Sequence, residues 1–126
     1  NILQQYKMIV TFNGSSFDLP VINRYYPNTI PQIAHMDLRH VLAKVGYTGG
    51  LKSIEKQLGI KRAEVVRDVN GSDAVYFWNM YKATGQERYL ELLVKYNEED
   101  VVNLKPLADF AVEELGKRVF DEEIKK

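Results

Sequence analysis

Met8-Ile9-Val10-Thr11-Phe12-Asn13-Gly14-Ser15-Ser16-Phe17-Asp18 is the stretch on which the fold turns. Its first five residues are apolar and β-prone, and they stop at Asn-Gly, a strong chain-reversal signal. This predicts a buried strand followed directly by a helix. Ser15 or Ser16 is placed to cap that helix, and Phe17, Val21, Ile22 and Tyr25 recur along it at helical spacing. Pro20 is tolerated in the first turn, and Pro27 ends the helix before it. Asp18 then stands at the start of a helix on the C-terminal edge of a strand, where ligand sites form in open α/β sheets. The same position also suits a carboxylate that only complements the helix dipole.

Working outward, Ile33 to Leu38 reads as a second strand, running into a helix through Val41, Leu42 and Val45 that stops at Gly46. After Gly49-Gly50, the residues Leu51, Ile54, Leu58 and Ile60 predict a short amphipathic helix with Gly59 at its end. Residues 61–71 read as a polar loop. Ser72 is the expected N-cap of a helix whose stripe Tyr76, Phe77, Met80 and Tyr81 reads as core, ending near Gly85, and Trp78 is read as core too. From Glu87 to about Arg118 helical periodicity continues, with an expected break at Asn97 and a kink or restart at Pro106. Two strands and about six helices result, and two strands make a marginal sheet. Either the helices supply the core or strands that belong beside Met8–Phe12 lie outside this sequence.

A chain of 126 residues, 45% hydrophobic, suits a single domain over 1–126. The absence of cysteine excludes disulfide scaffolds, zinc ribbons and thiol nucleophiles, and favours a cytoplasmic protein. No run approaches the roughly 20 apolar residues of a membrane span, so no membrane association is expected. Seventeen basic residues balance seventeen acidic ones. Residues 1–63 carry eight basic against three acidic residues, and residues 64–126 nine against fourteen. That asymmetry fits either a polyanion-facing basic half or a solvated acidic helix near the C-terminus.

Tyr96-Asn97-Glu98-Glu99-Asp100 sets a phenol and a carboxylate four residues apart, on one face if the segment is helical. Such a pair can ligate a hard cation and orient a water molecule; alternatively, Tyr96 packs inside and the acids open a new helix after Asn97. His35 and His40, five apart, suit surface or packing roles rather than metal ligation. Asp37 ends the second strand, where a carboxylate can either serve a metal site or act structurally. Lys52 opens a helix and is a candidate phosphate contact, as are Lys61 and Arg62.

Together, Asn13 to Asp18 and Tyr96 to Asp100 resemble the second and third carboxylate motifs of DEDD-type 3'→5' exonucleases of the ribonuclease H-like superfamily. Three further segments resemble the YprB-like branch: His35-Met-Asp-Leu38, Gly50-Leu-Lys-Ser-Ile-Glu-Lys-Gln-Leu-Gly-Ile60, and the run from Tyr96 to Leu104. The resemblance covers nearly the whole chain. It implies an α/β ribonuclease H-like fold, truncated at its N-terminus, and a hydrolase acting on single-stranded 3' ends of DNA or RNA. It further implies two Mg²⁺ or Mn²⁺ ions roughly 4 Å apart. Asp18 and Asp100 would be the metal ligands, Tyr96 would position the nucleophile, and Asn13, Gly14 and Phe17 would meet substrate. Tyrosine four residues before Asp100 marks the DEDDy type.

The family's first motif, Asp-x-Glu on a first strand, has no counterpart here, since no acidic residue precedes Asp18. With two of four carboxylates missing, the isolated chain is expected to be inactive and to dimerise through an exposed sheet edge. A non-catalytic nucleic-acid-binding or scaffold module on the same fold is the competing expectation, and an unrelated helical interaction domain the third.

Overall fold

The computed structural model describes residues 2–66 and 68–125. The chain divides into two compact units, one of Asn1–Ile54 with Leu104–Lys126 and the other of Glu55–Asn103. Six α-helices and two strands are present among the described residues. No helix among them is long and apolar enough to cross a membrane.

The first unit is built on β1 (Met8–Thr11) and β2 (Ala34–Asp37), paired in parallel with Met8 opposite Ala34 and Thr11 opposite Asp37. Burial rises along both strands toward their C-terminal ends. The expected buried β1 is therefore half-buried, with Met8 exposed and Thr11 inside. Helix α1 (Asp18–Tyr25) starts one to two residues later than serine capping required. Phe17 occupies the cap position, and no side chain caps the helix. Pro20 lies in its first turn as expected. Its apolar face does not enter the core: Phe17, Val21 and Tyr25 are exposed.

Helix α2 (Leu38–Lys44) follows β2 without a break. Leu38 and Leu42, one turn apart, are fully buried with Leu107 and Ala111 of α6 (Leu104–Lys125), and these residues form the core of the first unit with Val45 and Ile54. Burying Leu-sized side chains this completely contributes about 1.5–3 kcal/mol each. Tyr47 meets Phe110 edge-on at 5.2 Å, and Arg118 donates from Nη1 to the Lys44 carbonyl at 3.0 Å, satisfying one of the last acceptors of α2. Gly46, at φ 95°, takes the left-handed conformation that ends α2, as its sequence position indicated.

Helix α3 (Leu51–Gln57) begins in the first unit and ends in the second, with Gly59 beyond it at φ 72°. The segment 61–71 is not the simple polar loop expected. It holds a short 3-10 turn at Glu64–Val66, Val66 is fully buried, and Arg62 is inside; Arg67 lies outside the described residues. Helix α4 (Gly71–Thr84) is capped by Asn70, not Ser72. The Asn70 side chain accepts from Asp73 N, and the Asp73 side chain accepts from Asn70 N, both at 3.0 Å. The expected aromatic core of α4 is only partly formed: Phe77, Met80 and Tyr81 are half-buried, no residue of α4 is fully buried, and Tyr76 and Trp78 are exposed.

Helix α5 (Glu87–Val102) runs unbroken through Asn97. The break falls at Asn103 instead, for a definite reason. Pro106 has no N–H for the carbonyl four residues earlier, Val102, and its ring crowds that carbonyl. The α5 ladder therefore stops at Val102, and Pro106 sits comfortably in the first turn of α6.

Candidate functional site

The turn after β1 is held by one buried carboxylate. Asp37, at the C-terminal end of β2, accepts from Asn13 N at 2.7 Å, Ser15 N at 3.2 Å, Ser15 Oγ at 2.5 Å and Arg39 N at 3.2 Å. Burial pushes its pKa upward, but the bonds from Ser15, Asn13 and Arg39 outweigh burial and hold it below the ordinary 3.8. Ser15 is thus spent on Asp37 rather than on capping α1. Asn13 takes the left-handed conformation at φ 63°, which asparagine tolerates. Gly14 N donates to Thr11 Oγ1 at 3.1 Å, and a Cβ at Gly14 would collide with the Thr11 side chain. Only glycine fits this approach.

Beyond the turn, Phe17 and Asp18 are exposed at the start of α1. His35 Nε2 lies 2.8 Å from Thr11 Oγ1, and His40 Nε2 lies 3.2 Å from Ser15 Oγ and 3.4 Å from Asp37 Oδ2. His35, within β2, and His40, in α2, are both exposed and take part in these hydrogen bonds. Lys52 is half-buried in the first turn of α3.

In the second unit the structure brings together Tyr96 and Asp100. They stand one turn apart on α5, and a buried arginine touches both. Arg62 Nη2 lies 2.5 Å from Asp100 Oδ1, and the Arg62 guanidinium lies 5.7 Å from the centre of the Tyr96 ring. The same guanidinium donates to Glu55 from Nε at 2.9 Å and from Nη2 at 2.6 Å, and Asn103 Nδ2 donates to Glu55 at 3.0 Å. Side-chain exposure is 5% for Arg62, 3% for Glu55 and 32% for Asp100. Neighbouring Glu99 accepts from Ala63 N at 3.1 Å, tying α5 to the same loop.

Burial works against the Arg62 charge, but its bonds to Glu55 and Asp100 prevail and raise its pKa above the usual guanidinium value. Arg62 is therefore a permanent buried cation, not the solvent-facing phosphate contact expected. Its Nη1 is buried with no hydrogen-bond partner, at a cost of about 1–3 kcal/mol. Burial, then the Asp100 charge, push the Tyr96 phenol up from 10, so at neutral pH Tyr96 is a hydroxyl donor.

Glu55, Arg62 and Asn103 were not legible as a group. A glutamate and an arginine seven residues apart across a helix end carry no periodic signature, and only folding shows that they meet.

No group of three or more His, Cys, Asp or Glu among the described residues could hold a metal ion. The Asp100 carboxylate already has a cation at 2.5 Å. These residues do not by themselves make a metal site.

A parallel strand pair with a helix following each strand, and a turn leading to Asp18 at the C-terminal end of β1, is the α/β arrangement in which ligand sites form at the strand ends. A family model described as the RNase H superfamily matches residues 1–112, and the chain belongs to that superfamily. Its fold is accordingly the α-rich, ribonuclease H-like α/β fold, and an unrelated helical interaction domain is ruled out. Members of the superfamily are generally nucleolytic, act on nucleic acid and usually use divalent metals. No curated protein and no solved structure matches the chain.

Proposed function

We propose that this chain is part of a DEDDy-type, metal-dependent 3'→5' exonuclease of the YprB-like branch, hydrolysing phosphodiesters at single-stranded 3' ends of DNA or RNA. The observation that carries this reading is the Tyr96 and Asp100 pair. It lies one turn apart on an unbroken helix, with the phenol protonated at neutral pH, in a chain of the RNase H superfamily. Asp18 and Asp100 are the proposed metal-directed carboxylates, Tyr96 the residue beside the attacking water, and Asn13, Gly14, Phe17 and Lys52 the proposed substrate contacts. The two units act as one domain over 1–126 in this reading, located in the cytoplasm, and the open edge of β1 supports self-association. Mg²⁺ or Mn²⁺ dependence belongs to a complete carboxylate set, which Asp18 and Asp100 alone do not supply.

A second reading, a nucleic-acid-binding module without chemistry, is favoured by the engagement of Asp100 with Arg62 and by the lack of a three-donor group among the described residues. Incubating 3'- and 5'-labelled single strands with Mg²⁺ or Mn²⁺ decides between them. The purified 126-residue chain is expected to leave the strands intact. The full encoded polypeptide is expected to shorten them from the 3' end, and to lose that activity with Asp18→Asn or Asp100→Asn. Binding without cleavage by both selects the module, and cleavage that survives both substitutions overturns the exonuclease assignment.

A further inference from the structure

We infer that Arg62 is a positioning residue for Asp100 and Tyr96, and that Glu55 and Asn103 serve to place Arg62. The functional part of this inference rests on the reading of Tyr96 and Asp100 as site residues; the structural part does not. Three observations order the network.

Glu55 takes two donors from the guanidinium, Nε and Nη2, whereas Asp100 takes one, Nη2 alone. A bidentate fork fixes the plane of the guanidinium; a single bond does not. The orientation of Arg62 is therefore set by Glu55, and Asp100 is the group that adapts.

Exposure points the same way. Glu55 and Arg62 are withdrawn from water, and Asp100 is one-third exposed. A buried ion pair is costly to rearrange, so the inner pair is the rigid element and the outer carboxylate is aligned on it. Asn103, itself buried, donates to Glu55 and closes the inner side of the network.

The third observation is that Arg62 also packs against the Tyr96 ring. One guanidinium thus touches both members of the pair that spacing along α5 puts on one face. Lysine could supply the charge but neither the fork nor the flat contact, so it is not a conservative replacement here.

NMR on the labelled 126-residue chain tests the order of dependence. The Arg62 Nε–H resonance should persist in Asp100→Asn, because Glu55 still holds the guanidinium. It should shift or broaden in Glu55→Gln. The Asp100 Cγ resonance should move in both Arg62→Lys and Glu55→Gln, although Glu55 does not touch Asp100. If Arg62→Lys does not fold, the Glu55→Gln and Asn103→Ala spectra carry the test.

An Asp100 Cγ resonance unmoved by Glu55→Gln, or an Arg62 Nε–H resonance lost in Asp100→Asn, overturns the inference. In the full polypeptide, Arg62→Lys is expected to lower kcat about tenfold or more with KM little changed. Cleavage that survives Asp100→Asn instead removes the exonuclease reading and leaves the spectral order standing or falling on its own.

Discussion

Asp37 shows how one side chain can organise a turn that sequence assigns to other residues. Serines after a strand read as helix caps, yet Ser15 donates to Asp37, and α1 begins uncapped. The sequence left Asp37 between a metal-site and a structural role, because Asn13 and Ser15, which donate to it, lie more than twenty residues away. Its folded pKa lies below 3.8, so its ionised form favours the fold. That contribution is complete above the unfolded value and is lost as pH falls toward the folded one. Asp37→Asn is expected to cost about 1–3 kcal/mol at neutral pH, since a neutral amide cannot replace the charge-assisted bonds from the part-buried N–H groups of Asn13, Ser15 and Arg39. It should also flatten the loss of stability below about pH 4. Urea denaturation at neutral and acid pH measures both, and an acid limb as steep as that of the parent chain would count against this role.

At the scale of elements, glycine and proline were read well and caps less well. Gly46, Gly59 and Gly85 lie at positive φ just past α2, α3 and α4, where only the local backbone decides. The helix passes through Asn97, where a break is expected from sequence; Pro106 acts on the carbonyl four residues earlier and places the break at Asn103. The α4 cap is the sharpest case. Asn70 and Asp73 form a reciprocal capping box, and Ser72 lies inside the helix. Asn70→Ala should therefore lower stability by about 1 kcal/mol, while Ser72→Ala should change it by no more than about 0.5 kcal/mol. Paired thermal melts check this. Equal effects, or a larger one at Ser72, would remove the capping assignment.

On the scale of the whole molecule, the two units are stabilised differently. The first has an aliphatic core of Leu38, Leu42, Val45, Ile54, Leu107 and Ala111; in the second, the buried residues among those described are Val66, Glu55, Arg62 and Asn103, three of the four polar or charged. The apolar stripe expected inside on α1 stays largely in solvent, and that on α4 is half-buried at Phe77, Met80 and Tyr81 with Tyr76 exposed. Each strand of the sheet has a neighbour on one side only among the described residues. An unpaired edge recruits further strands, so the chain is expected to dimerise as its concentration rises. Light scattering across a dilution series should show the mass falling toward 14.6 kDa. A constant monomer mass at every concentration would refute edge pairing.

By itself, the sequence determined what acts locally along the chain: the two strands, the six helices, the glycine stops, the chain reversal at Asn13-Gly14, and the four-residue spacing of Tyr96 and Asp100 on one helical face. These follow from backbone conformational preference and helical period, which need no distant partner. Tertiary structure alone decided which carboxylate organises the β1 turn, which stripes are buried, and that Arg62 is an internal cation between Glu55 and Asp100. Those outcomes depend on desolvation and on pairings between residues far apart in sequence, which no local pattern encodes.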